Sequence, residues 1–146
     1  MSEAPRAKRY IGIDLGTTFS AMAYVDPHGT PVTIPNAEGS LTTPSVVYFE
    51  QTGQVIVGAD ARAAAVEHPE LVVECVKREM GERFYSRPIQ GRKLPPPAIS
   101  ALILKKLKQD AEAKLGPIDG AVITVPAYFD EGRRQATHAA GEIAGL

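Results

Sequence analysis

An acid, a glycine and two hydroxyl residues lie close together near the N-terminus. Asp14 ends a short apolar run, and Gly16, Thr17 and Thr18 follow after one leucine. A strand that turns tightly back on itself gathers backbone N–H groups and small hydroxyls around one point. Such a concavity can hold an anion, and the carboxylate beside it can hold the cation of that anion. The stretch favours a site for a triphosphate and its magnesium; the alternative is an ordinary hairpin with a glycine at its turn.

Composition restricts the class of protein. The chain has 146 residues, 44% of them hydrophobic and 23% charged, which fits one globular domain with a core. The net charge of −1 gives no reason to expect nucleic acid or a membrane surface as a partner. No apolar run is long enough to span a bilayer, and no hydrophobic signal sequence precedes the first strand. A cytoplasmic location is therefore the expectation.

Cysteine and histidine usage excludes several kinds of site. Cys75 is the one cysteine, so neither an intramolecular disulfide nor a multi-cysteine metal site can form. Its apolar surroundings favour a buried, inert thiol. The three histidines have no zinc-ligand spacing, and we expect all of them at the surface.

Short strands precede the long helices. Apolar runs bounded by turn residues predict strands at residues 10–14, 20–25, 31–35, 43–49 and 55–58. An alanine-rich helix follows from Ala59 to about Glu67, where Pro69 stops it. The next element, Leu71 to Met80, has no decisive periodicity and can be strand or helix. The first nine residues are polar and basic, and we expect a disordered leader there.

The C-terminal half predicts helix, strand, helix. Three prolines, residues 95–97, stiffen the start of a helix over 98–115, although a polyproline ligand is the alternative. This helix has an apolar face, which consists of Ile99, Leu102, Ile103, Leu107, Ala111 and Leu115. The continuous apolar run 121–125 predicts a strand buried on both faces. Asp130 is a candidate N-cap for a helix that reaches Ala144. We expect this last helix to pack on the sheet through small residues, namely Ala136, Ala139, Ala140 and Ile143. Together these elements indicate a mixed α/β protein.

Several motifs together resemble the DnaK-type 70-kilodalton heat-shock chaperones. They occur in the order and approximate spacing of that family: Ile11 to Thr18, Thr42 to Ser45, Lys77-Arg78 with Met80-Gly81, Val125 to Phe129 and Arg134 to Thr137. The resemblance covers nearly the whole chain. It implies an actin-like ATPase (ribonuclease H-like) fold, a mixed sheet with flanking helices, of which residues 10–146 are the first lobe only. Family members continue for several hundred residues more, so the resemblance also implies a fragment.

The resemblance implies roles for particular residues. Asp14 would sit near magnesium, through water; the alternative is an acid that caps the turn. Lys77 matches the catalytic lysine, which orients the attacking water and neutralises charge on the transferred phosphoryl group. Without the resemblance it would be one exposed lysine among many. The phosphate loop would comprise Gly16, Thr17, Thr18 and Phe19, with phenylalanine where relatives often carry tyrosine.

Two further residues match an interdomain relay of the family. Pro126 would be a rigid pivot and Arg134 a reporter of nucleotide state, with a strand terminator and a surface arginine as the alternatives. Neighbouring Arg133 is interpreted as a solvated charge. The sequence departs from the family at Glu79, where relatives usually carry an apolar residue, and at 82–97, where the outer subdomain is shortened.

The function implied by the resemblance is ATP-driven chaperoning. The full protein would bind and hydrolyse Mg-ATP and couple that reaction to the binding and release of unfolded peptides. A J-domain co-chaperone and a nucleotide-exchange factor would be its partners, whereas this fragment alone would be inactive. The alternatives are another actin-like ATPase or sugar kinase, and a non-catalytic interaction module with the same fold.

Overall fold

The computed structural model describes residues 4–146, in which two small sheets are packed with three helices. The helices are Ala59–Ala64 (α1), Pro96–Leu115 (α2) and Glu131–Ile143 (α3), and short 3₁₀ turns span Pro69–Leu71 and Val76–Glu79. The strands are Tyr10–Asp14 (β1), Phe19–Val25 (β2), Pro31–Thr33 (β3), Thr43–Pro44 (β4), Val46–Phe49 (β5), Val55–Val57 (β6), Val72–Glu74 (β7) and Gly120–Thr124 (β8). The prediction of a mixed α/β protein is confirmed.

The larger sheet has the strand order β3-β2-β1-β8, with β4 also paired to β2. β1 pairs antiparallel with β2 and parallel with β8. Ile11 and Ile13 alternate with exposed residues along β1 and enter the core, as a half-buried strand requires. The parallel register places Asp14 opposite Thr124, so both strands end at the same edge of the sheet.

The predicted strand over 43–49 is divided between the two sheets. β4 pairs with β2, whereas β5 lies between β6 and β7 in the smaller sheet. Ser45 joins the two strands, and its hydroxyl lies 2.8 Å from that of Ser20, both side chains being buried. The chain therefore changes sheets within one apolar run, which a local pattern does not reveal.

Helix α2 forms the centre of the core. It begins at Pro96, two residues before the predicted start, with prolines in its first turn and no side-chain cap. Proline suits that turn because its missing N–H would have no partner within the helix. The predicted apolar face is confirmed in its central part, where four residues are fully buried: Ile99, Ile103, Leu107 and Ala111.

The prediction that the last strand is buried on both faces is wrong. Val122 and Thr124 lie on one face of β8 and are exposed, Val122 to 69%, whereas Ala121 and Ile123 on the other face are half-buried. The predicted packing face of α3 is wrong at Ile143, which is 61% exposed, whereas Ala140 is buried and Ala136 and Ala139 are half-buried. The buried face consists of Thr137, Ala140, Gly141 and Ala144. Gly141 permits this contact, since a Cβ there would lie 3.1 Å from Ile123 Cδ1.

The undecided element at 71–80 contains both alternatives in turn. β7 ends at Glu74, Cys75 adopts a left-handed conformation with φ 56°, and the 3₁₀ turn Val76–Glu79 follows. Cys75 is half-buried. Because a strand and a helical turn follow each other within ten residues, neither the strand period nor the helix period of apolar residues extends over the whole segment.

The ends of other elements differ modestly from expectation. α1 ends at Ala64 and not near Glu67, and β3 ends at Thr33. Before β1, residues 4–9 form neither helix nor strand, but the Arg6 guanidinium donates to both carboxylate oxygens of Asp119 at 2.9 and 3.0 Å. The first three residues of the predicted leader lie outside the described part of the chain. No helix within residues 4–146 is both long and apolar enough to cross a membrane.

Candidate nucleotide-binding site

The site begins where two parallel strands end side by side. Asp14 is the last residue of β1, and its side chain is exposed. Beside it, the Thr124 hydroxyl lies 3.5 Å from Asp14 Oδ1 and 3.4 Å from the carbonyl oxygen of Ile13. The carboxylate is therefore held at the sheet edge and remains open to solvent, as a carboxylate that contacts a hydrated cation must be.

The loop after β1 turns so tightly that it requires glycine at one position. A Cβ on Gly16 would lie 1.9 Å from the carbonyl oxygen of Phe19, which no side chain can tolerate. Thr17 is half-buried and Thr18 is exposed. The carbonyl of Thr18 accepts a hydrogen bond of 2.9 Å from the N–H of Ser45, which fixes the loop to the neighbouring segment. The loop consequently presents its hydroxyl side chains from a constrained backbone.

Phe19 begins β2 directly after this loop. Its ring is 44% exposed, and the guanidinium carbon of Arg62 lies 4.6 Å from the ring centroid. This geometry is typical of a cation–π contact. Arg62 thereby joins α1 to the start of β2. No sequence motif indicated this arginine, because the contact depends on how α1 packs.

Lys77 reaches the loop from the 3₁₀ turn Val76–Glu79. Its ammonium donates to the carbonyl oxygen of Leu15 over 2.6 Å. Burial lowers the pKa of Lys77, and the nearby negative charge of Asp14 opposes that shift in part. The structure thus brings Lys77, Asp14 and the Gly16 loop together, although Lys77 is more than sixty positions from the other two.

Pro126 and Arg134 both contact Phe129. The carbonyl of Pro126 accepts a 3.1 Å hydrogen bond from the Phe129 N–H, and Arg134 Nε donates to the Phe129 carbonyl over 3.2 Å. The Phe129 ring is buried, and the Lys77 ammonium lies 5.9 Å from its centroid. Phe129 therefore connects the pair to the lysine. Phe129 is the last residue of the motif Val125 to Phe129, but no role for its ring was predicted from the sequence.

The interpretation of Arg133 as a solvated charge is wrong. The side chain is half-buried, and its guanidinium carbon lies 5.7 Å from the Phe129 centroid. It also packs beside Gly81, where a Cβ would approach Arg133 Cγ to 3.1 Å. The first turn of α3 thereby contacts the segment just after Lys77. The N-cap prediction for that helix is confirmed, since Asp130 Oδ1 accepts from the Arg133 N–H over 2.9 Å.

Comparison with known proteins agrees with this geometry. The family model described as "Hsp70 protein" matches residues 10–93 and 86–146. Over 144 residues the chain is 51% identical to proteins named "Chaperone protein DnaK" from Thermotoga petrophila, Thermotoga neapolitana and Thermotoga maritima. The aligned region covers 98% of this chain and 24% of each relative, so the chain spans about a quarter of their length. The resemblance inferred from the motifs is confirmed: this chain belongs to the Hsp70 protein family.

Proposed function

We propose that this chain is the N-terminal lobe of the nucleotide-binding domain of a DnaK-like chaperone, residues 10–146 forming one wall of the ATP cleft in an actin-like fold. The whole protein binds Mg-ATP, hydrolyses it to ADP and phosphate, and couples the reaction to peptide binding and release. One observation carries the proposal. The Lys77 ammonium donates to the carbonyl of Leu15, between Asp14 and the tight Gly16 turn.

The residues present fit magnesium held partly by water. Within residues 4–146 no group of three or more histidine, cysteine or acidic side chains could hold a metal ion alone. Mg²⁺ does not need such a group, because it commonly takes one or two carboxylates and completes its shell with water and phosphate oxygens. Asp14, exposed at the strand end, supplies that carboxylate. When bound, the ion neutralises charge on the phosphates.

Each residue of the loop has a role that suits an anion. Gly16 lets the backbone turn where a side chain would collide with Phe19. The hydroxyls of Thr17 and Thr18 and the N–H groups of the loop through Phe19 donate to phosphate oxygens. Lys77 orients the attacking water and neutralises the charge that spreads over the phosphoryl oxygens in the transition state. The hydrogen bond from Lys77 to the Leu15 carbonyl, at the start of the loop, supports that role.

The relay assignment for Pro126 and Arg134 is supported by their shared contact. Both bond to the backbone of Phe129, whose ring faces the Lys77 ammonium. A change in the position of the lysine is therefore transmitted to the first turn of α3. Such a change requires two discrete arrangements of the segment, which the nucleotide and its hydrolysis products would favour differently.

The wider assignments rest on family membership. Unfolded peptides are the clients, and a J-domain co-chaperone and a nucleotide-exchange factor are the partners. We propose a cytoplasmic protein that binds neither nucleic acid nor membranes. Residues 1–9 are proposed as a leader, and residues 82–97 as a shortened outer subdomain. The two stretches matched by the family model overlap within that segment, at 86–93.

The test compares the full-length protein with the 146-residue chain. We expect ADP and free phosphate from Mg-ATP with the full-length protein, and faster release of a bound peptide when ATP is added. The 146-residue chain should show negligible turnover, because half the cleft is missing. Transfer of phosphate to a sugar would favour the kinase alternative. Absence of both nucleotide binding and hydrolysis in the full-length protein would favour the interaction module and sink the proposal.

A further inference from the structure

The acid at position 79 contacts the shortened segment that follows it. Glu79 Oε1 accepts a hydrogen bond of 2.6 Å from the Ser86 N–H, and Oε2 accepts one of 3.1 Å from the Ser86 hydroxyl. The carboxylate is thus engaged through both oxygens by one residue. Hydrogen bonds to an ionised acceptor are stronger than neutral ones. The unusual acid therefore has a structural partner seven residues away.

The next residue of that segment contacts the other end of the same unit. Arg87 donates to the carbonyl oxygens of Glu70 at 3.0 Å and Pro69 at 3.1 Å, and also to that of Val72. Ser86 and Arg87 together therefore hold the strand and turn from Val72 to Glu79 at both ends. We call this pair of residues the Ser86–Arg87 clamp.

The clamp is itself fixed to the core. Tyr85 and Ile89, on either side of it, are 9% and 2% exposed. The Tyr85 N–H donates to the Leu94 carbonyl over 2.8 Å, and Ile89 forms reciprocal 2.9 Å backbone bonds with Arg92. A segment anchored in this way is a firm support for the groups that bind to it.

Lys77 lies between the two ends that the clamp holds. Its turn is a single stretch of 3₁₀ helix, whose i→i+3 bonds have poor geometry. The left-handed Cys75 precedes the turn and Gly81, with φ 99°, follows it. Val76 and Met80 are buried and fix the depth of the turn. On the exposed side of the turn, close to Lys77, the hydrogen bonds that Glu79 accepts from Ser86 hold the turn in place.

We propose that Glu79 is a positioning residue for Lys77, acting through its bonds to Ser86 in the Ser86–Arg87 clamp. The inference rests on the proposed function, because Lys77 must act in hydrolysis for its placement to affect the rate. Glu79 is not among the residues that we propose to contact the nucleotide. Its loss should slow hydrolysis and leave ATP affinity nearly unchanged, since the phosphate loop itself is not altered.

The experiment uses the full-length protein and measures ATP affinity and the single-turnover rate separately. Glu79→Ala should lower the rate about five- to tenfold, because small displacements of a catalytic group are costly, and change the ATP Kd by less than about twofold. Glu79→Gln should recover part of the rate, since its amide oxygen can still accept one bond. The matched control is Glu82→Ala, because the Glu82 side chain is exposed and makes no hydrogen bond within residues 4–146.

A second variant keeps the inference testable if Glu79→Ala does not fold. Ser86→Ala removes the hydroxyl donor but retains the N–H, so we expect a smaller fall in rate. Wild-type rates in both Glu79→Gln and Ser86→Ala, or a Glu79→Ala rate within about twofold of wild type, would overturn the inference while the proposed function stands. An equal loss of ATP affinity and rate would also overturn it, since that pattern indicates general damage. A wild-type protein that does not hydrolyse ATP would remove both proposals.

Discussion

The ammonium of Lys77 donates to the carbonyl oxygen of Leu15 over 2.6 Å, across 62 positions of sequence. Leu15 lies between Asp14 at the end of β1 and Gly16 at the tight turn. The bond ties the 3₁₀ turn that carries Lys77 to the loop that would hold phosphate. It also gives the half-buried ammonium a partner and holds it beside the loop.

Replacement of Lys77 tests the catalytic assignment directly. In the full-length protein, Lys77→Ala should lower the single-turnover rate of ATP hydrolysis at least about 100-fold, because it removes the charge that stabilises the transition state. ATP binding should change only about two- to threefold, since the loop and Asp14 remain. Equilibrium binding and quenched-flow hydrolysis measure the two effects. Lys105→Ala, an exposed lysine of α2, is the control, and equal activity of the two variants would contradict the assignment.

The titration of Lys77 should reflect its surroundings. Burial lowers the pKa of Lys77 and the Asp14 carboxylate raises it, with burial prevailing. Between its pKa values in the folded and unfolded states, the unfolded chain binds more protons, so this residue's contribution to stability improves as pH rises through that window. Below the pKa of Lys77 in the folded state, the side chain is charged in both states, and the cost of burying that charge lowers the stability of the fold. Hydrolysis needs the protonated ammonium of Lys77. As pH rises, the rate of hydrolysis should therefore begin to fall at a lower pH than it would with a lysine of ordinary pKa.

Removal of the neighbouring carboxylate tests the direction in which Asp14 shifts the pKa of Lys77. Asp14→Asn should lower the pKa of Lys77 further, because the opposing negative charge is gone. Carbon-13 labelling of lysine side chains in the full-length protein, with Lys77→Arg to assign the resonance, measures both values. A pKa for Lys77 that rises in the Asp14→Asn variant would contradict the role given to that charge.

The sequence predicted best those elements whose pattern reflects their own packing. The apolar face of α2 identified Ile99 and Ile103 as core residues, because the helix buries one side regularly. The prediction for β8 was wrong. Its apolar run predicted burial on both faces, yet Val122 is exposed, since the neighbours of a strand are not encoded in its own residues.

The candidate site was predicted from motifs and completed by tertiary contacts. Asp14 and Gly16 are only two positions apart in sequence, so their chemistry could be inferred locally. Lys77 could be placed with them only by resemblance, because its contact with Leu15 depends on how the turn Val76–Glu79 packs. The contacts of Phe129 with Lys77 and of Arg133 with Gly81 were not predicted for the same reason, because they depend on how the start of α3 packs against the segment around Lys77.

The glycine of the phosphate loop should not tolerate a side chain. Gly16→Ala would place a Cβ 1.9 Å from the Phe19 carbonyl oxygen, so the backbone must move. We expect the free energy of unfolding to fall by about 1–3 kcal/mol and ATP affinity to fall at least about tenfold. Gly12→Ala in β1 is the matched control, because its Cβ would meet the nearest atom at 3.9 Å. Denaturant unfolding and nucleotide binding provide the measurements; similar losses in both variants would refute the steric argument.

Phe129 should affect both stability and the coupling of hydrolysis to α3. Phe129→Leu removes the ring that lies 5.9 Å from the Lys77 ammonium and 5.7 Å from the Arg133 guanidinium, while the backbone bonds to Pro126 and Arg134 can remain. The smaller side chain and the lost cation–π contacts should lower the free energy of unfolding by about 1–2 kcal/mol.

The adjacent tyrosine provides the comparison for that variant. Tyr128 is 76% exposed, so Tyr128→Leu should leave stability within about 0.5 kcal/mol of wild type. In the full-length protein, Phe129→Leu should also reduce the acceleration of ATP hydrolysis by a bound peptide, because the contact between Lys77 and the first turn of α3 is weakened. Denaturant unfolding and hydrolysis assays with and without peptide measure both effects. If peptide accelerates hydrolysis equally in Phe129→Leu and the wild type, the ring does not link Lys77 to the relay, and Arg134 must act through another contact.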